Sequence, residues 1–100
     1  MNRGTTPKHH FTLPFDTGLL KTVRIVYSQM EEVILVKTGD DLIFEGDTVT
    51  TQLSQEETLR FSCRKPVEIQ VRVLTKAGEA HNSVIIKTSV SRCLETEVIE

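Results

Sequence analysis

At 100 residues the chain has room for one domain, and a 38% hydrophobic composition lets a chain of this size bury roughly 65% of its unfolded surface without staples. Twelve Lys and Arg against fourteen Asp and Glu leave a net charge of −2, which disfavours nucleic acid and acidic membrane surfaces as partners. No apolar run approaches the ~20 residues of a membrane span, and Met1 to Pro7 lack the apolar stretch of a secretion signal, so the chain reads as soluble and unsecreted.

Residues 1–8, polar and containing Pro7, read as a flexible N-terminal arm. Phe11, Leu13 and Phe15 alternate in a short strand, where Pro14 marks an edge or a strand end because it has no N–H to donate. Val23, Ile25 and Tyr27 share one face of the next strand; further strands follow at Glu32 to Lys37, Leu42 to Glu45 and Thr48 to Leu53. Gln29-Met30-Glu31, Gly39-Asp40-Asp41 and Gly46-Asp47 are too short to be parallel crossovers, so neighbouring strands are antiparallel. Ser54 and Glu57 have the spacing of a capping box, predicting one helical turn near residues 54–58, with Leu59 and Phe61 anchoring it to the core.

The strongest alternation is Val67-Glu68-Ile69-Gln70-Val71-Arg72-Val73, four β-branched residues on one face and three polar ones on the other. A turn at Lys76 to Glu79 leads to a last strand, with Val84, Ile86, Thr88 and Val90 predicted to share a face. Val, Ile and Thr supply about a third of the chain, as pleated half-buried surface requires. The fold class is therefore all-β: an antiparallel immunoglobulin-like β-sandwich of about seven strands, spanning 9–94, with a C-terminal tail at 95–100. The likeness is architectural, since Trp is absent and Cys63 and Cys93 bracket only the last strands.

Candidate chemistry is sparse. His9 and His10 are neighbours on a strand and point to opposite faces, so they do not converge on an ion, and His81 lies far along the chain. Asp40-Asp41 and Glu56-Glu57 sit in a turn and a helix start, where carboxylates serve local structure. Cys63 and Cys93 form no C-x-x-C pattern; their spacing allows a disulfide, a reducing compartment favours two thiols, and a nucleophilic Cys63 lacks a surrounding signature. Arg60, Arg64 and Lys65, with Arg72 and Lys76 on the following strand, form a basic cluster with too few aromatic residues for a base-stacking surface. No catalytic residue, metal site or cofactor is expected. The remaining functional surface is the sheet edges and the arm, with Arg3, Thr5, Thr6, Pro7 and His10 as candidate partner-binding residues through main-chain pairing at a sheet edge.

Three stretches taken together, Arg3-Gly4-Thr5-Thr6-Pro7 leading into Phe11 to Asp16, Leu53 to Phe61, and Val67 to Val73, resemble a family of roughly hundred-residue proteins encoded in prophages of Gram-positive bacteria. In plan the chain is similar to the immunoglobulin-like domain that begins some phage baseplate adaptor proteins. The resemblance implies a non-enzymatic phage or prophage structural or assembly protein that acts through protein contacts. Its partners would be other virion proteins or copies of itself in a homo-oligomer, with no nucleic acid and no membrane, in the bacterial host cytoplasm or the virion. The alternative is a prophage-encoded regulator or inhibitor that binds a host protein.

Overall fold

The computed structural model describes residues 1–83 and 85–100. Its strands are β1 (Lys8–Thr12), β2 (Leu20–Gln29), β3 (Glu32–Thr38), β4 (Leu42–Glu45), β5 (Thr48–Gln52), β6 (Val67–Thr75), β7 (Ala80–Asn82) and β8 (Ile86–Thr88), with one helix, α1 (Gln55–Leu59). Two antiparallel sheets form an all-β sandwich. The smaller runs β1-β5-β4; the larger runs β3-β2-β6, with β7 and β8 in tandem along the far side of β6. The second and third strands, which an immunoglobulin domain assigns to different sheets, are here a hairpin within one sheet.

The alternation in the sequence becomes the inner face of the larger sheet. Val23, Ile25 and Tyr27 of β2 lie opposite Val73, Val71 and Ile69 of β6, and all six are buried. From the smaller sheet Val49 and Thr51 face them, and Leu13, Leu53, Phe61 and Val90 close the ends of the same core. Phe61 meets Tyr27 at a ring separation of 6.0 Å, within the range where tilted aromatic pairs attract. The strand containing Phe11 ends at Thr12, before Pro14, and lies at the edge of its sheet.

Two register shifts alter the expected pattern. Tyr27 pairs with Leu35 but Ser28 pairs with Val33, so Ile34 is an extra residue bulging from β3. Beyond it Leu35 and Lys37 face inward, and a lysine enters the core row beside Ile25. The last strand is broken: β7 pairs Asn82 with Arg72, whereas β8 pairs Ile86 with Ile69, one residue out of step. At the break Ser83 donates its N–H to the Val71 carbonyl and accepts the Val71 N–H on its hydroxyl, at 2.8 and 2.9 Å. The slip sets Ile86 opposite the inward-facing Ile69, but β8 is an outer edge of the sheet and Ile86 is exposed rather than buried with Val90 as expected; Val84 lies outside the described residues.

Ser54 caps α1 as its spacing requires. Its hydroxyl accepts the Glu57 N–H at 3.1 Å, and the Glu57 carboxylate accepts the Ser54 N–H at 2.8 Å. The same carboxylate holds Lys37 at 2.9 Å, so one glutamate closes the cap and neutralises the inward lysine of the opposite sheet.

Candidate contact surfaces

The leader, expected to be a loose arm, is fastened along its length. Met1 and Arg3 pair with Ser89 and Ser91 through main-chain bonds of 2.7–3.3 Å, and Asn2 forms a parallel bridge with Ser91. The leader then crosses α1. The buried Thr58 hydroxyl accepts the Gly4 N–H and donates to the Thr5 carbonyl, both at 3.0 Å. Gly4 holds φ at +77°, a backbone that favours glycine, and a Cβ there would press on the Cys93 sulfur at 3.2 Å.

Each candidate partner-binding residue therefore has an intramolecular contact. The Arg3 guanidinium donates to the Leu59 carbonyl at 2.9 Å; the Thr5 hydroxyl donates to the Asn2 carbonyl at 2.6 Å. The Thr6 carbonyl accepts from Gln52, the Pro7 carbonyl from the Leu53 N–H, and His10 Nδ1 lies 2.8 Å from the Thr50 hydroxyl. Arg3, Thr5, Thr6 and Pro7 form the strap, whereas His10 stands apart from it on the exposed face of β1.

His9 and His10 diverge as neighbours on a strand must. His9 turns inward, its Nδ1 2.7 Å from the Tyr27 hydroxyl. Burial, then the N-terminal charge and His10, lower the His9 pKa, while burial and the Glu57 charge push the Tyr27 phenol up. Tyr27 thus keeps its proton and can donate it to a neutral His9. His81 is distant from both, beside Glu79 and the Phe15 ring.

The outer face of the smaller sheet is electrically polarised. Lys8 and His10 stand on β1, whereas Asp40, Asp41 and Glu45 lie at or beside β4, across a shallow hollow of about 500 Å³ floored by Thr50. Both strands are sheet edges, and β4 exposes Ile43 and Phe44 at 67% and 43%. At one end of the molecule a second groove, also about 500 Å³, gathers Arg3, Arg60, Arg64 and Arg92 with Cys63 and Cys93. A hollow of about 330 Å³ beside it shares Cys63 and Arg64 and adds Lys65 and Lys87. Arg72, by contrast, points to Asn82 on the larger sheet. Arg60, Arg64 and Lys65 cluster in the sequence itself; Arg3, expected as part of the arm, and Lys87 and Arg92, which carried no local signal, join them from distant segments.

Compared with protein-family models and with curated proteins, the chain matches none. Among the described residues no helix is long and apolar enough to cross a membrane.

Proposed function

We propose that the protein is non-enzymatic and acts through protein–protein contacts, as a small phage or prophage structural or assembly component that joins to further copies of itself. The observation that carries this reading is the polarised three-stranded sheet, basic at its β1 edge and acidic at its β4 edge, with Ile43 and Phe44 exposed beside the acids. An edge strand offers unpaired N–H and C=O groups to any strand that approaches it. Here the β1 edge of one copy and the β4 edge of the next have complementary charge, which favours a head-to-tail contact over two like edges meeting. A head-to-tail contact builds a ring if its rotation closes and a filament if it does not. The resemblance of residues 3–16, 53–61 and 67–73 to prophage-encoded proteins supports an assembly role, and assembly in the host cytoplasm or the virion is the setting that goes with it.

Light scattering tests the reading. The wild-type chain is expected to form a defined oligomer, Lys8→Glu with His10→Glu to be monomeric, and Asp41→Lys with Glu45→Lys to be monomeric as well. Mixing the two variants is expected to restore assembly as an alternating hetero-oligomer, because each retains one native edge and each altered edge finds an opposite charge. A wild-type chain that stays monomeric at millimolar concentration contradicts self-assembly.

A further inference from the structure

Half of the chain's twelve Lys and Arg residues stand at one end of the sandwich: Arg3, Arg60, Arg64 and Arg92 in the groove, Lys65 and Lys87 in the hollow beside it. The carboxylates tied to this end are fewer. Glu56 reaches Arg60 at 3.6 Å across solvent, Glu68 lies opposite Lys87 in the β6–β8 register, and Glu95 meets Cys93 through its carbonyl. A chain with net charge −2 therefore carries a local positive surplus.

The surface is also held in shape. Gln29, only 2% exposed, donates from its amide nitrogen to the Ser62 and Lys65 carbonyls at 2.8 and 3.0 Å and accepts the Ser62 N–H at 2.8 Å. One buried side chain thus fixes the loop that presents Arg64 and Lys65. The strap bond from Arg3 to Leu59 fixes the opposite wall, and Arg3 Nε is buried with no protein partner. Holding cations in place before a ligand arrives lowers the ordering cost of binding.

We propose that this end of the sandwich docks a carboxylate-rich segment of a partner protein. Arginine forks pair bidentately with carboxylates, and cations drawn from the leader, the α1–β6 loop and the segment after β8 are spread along a groove, as several carboxylates in succession require. A single-stranded nucleic acid fits less well, because its bases need exposed aromatic platforms and the one ring lining the groove, Phe61, is fully buried. The inference rests on the reading of the protein as a contact module but uses a surface separate from the β1 and β4 edges. Arginine variants and edge variants therefore report on different contacts.

The test is fluorescence anisotropy of a labelled deca-glutamate peptide added to the full chain at about 50 mM salt, where charge pairing is weakly screened. Arg60→Glu with Arg64→Glu and Arg92→Glu is expected to weaken binding by about tenfold or more, while the matched charge change Lys21→Glu with Arg24→Glu and Lys76→Glu weakens it less than about threefold. Circular dichroism checks that both retain the β fold; if the groove triple does not, the single exposed substitution Arg92→Glu is expected to weaken binding by at least about twofold. Equal losses in groove and control variants overturn the proposal, as does a wild-type chain that does not bind the peptide. Tighter binding of a deca-thymidine oligonucleotide, or complete displacement of the peptide by equimolar inorganic phosphate, also overturns it by assigning the groove to a different ligand.

Discussion

Met30 and Glu31 form the two-residue turn between β2 and β3, both with positive φ, at 50° and 64°. That is the backbone of a type I′ turn, which Asn-Gly adopts with little strain and these two residues do not. Met30→Asn with Glu31→Gly is expected to raise unfolding stability by about 1–2 kcal/mol, read as a higher denaturant midpoint at unchanged slope. Thr51 presents another local cost: it is 1% exposed and its hydroxyl has no partner. Thr51→Val is expected to stabilise by about 1 kcal/mol because it removes an unsatisfied buried group while keeping the β-branched shape.

Two titrating residues set the direction of pH dependence. Burial opposes ionisation of Glu57, but the hydrogen bonds from Lys37 and Ser54 and the Lys37 charge outweigh it and hold the carboxyl below its ordinary pKa. The folded state then binds fewer protons than the unfolded one as glutamate titrates, so this contribution is complete above the ordinary glutamate value and is lost as pH falls through the folded one. His9, lowered from 6.5, has the same sign: its contribution is complete above that value and drains away below it. Stability is therefore expected to decline from pH 8 toward pH 4. Glu57→Gln is expected to be less stable than wild type by about 1–3 kcal/mol at neutral pH and to lose less on acidification, measured by urea titration at each pH.

Among the elements, α1 has the widest reach for its length. Its cap glutamate holds Lys37 of the opposite sheet, Thr58 holds the leader, and Gln55 pairs with both the N–H and the carbonyl of Ile99 in the tail, at 2.8 and 2.9 Å. Thr58→Val is expected to free the leader at a cost of about 1–2 kcal/mol and to hasten proteolysis near Thr5 while the sheets stay folded. The cap was legible in the sequence because Ser54 and Glu57 are three residues apart; so were β2 and β6, whose alternation runs unbroken where the core is thickest. The inward Lys37 was not, because a single extra residue at Ile34 reverses the face that an alternation counted from the β2–β3 turn assigns; nor was the exposure of Ile86, which pairs with the buried Ile69 but lies on an edge strand. The strap escaped notice for a different reason. Its hydrogen bonds to the rest of the fold join residues 46 to 90 positions apart, and local pattern carries no trace of such pairings.

The molecule as a whole is a slab, 46 by 29 by 16 Å, its short dimension set by two sheets about 10 Å apart. Small sheets leave edges exposed in proportion: of the candidate partner residues Arg3, Thr5, Thr6 and Pro7 belong to the strap, whereas His10 stands with Lys8 at one edge, across from Asp41 and Glu45 at the other. Charge is segregated rather than absent, so a net value near zero conceals both a polarised sheet and a basic end. Hydrogen exchange measured over a range of protein concentration tests edge-to-edge assembly most directly. Amides of β2 and β6 are expected to exchange slowly at every concentration, while those of β1 and β4 gain protection as concentration rises and lose that gain in the Lys8→Glu, His10→Glu variant. Protection at both edges that is the same in dilute and concentrated solution would contradict such assembly.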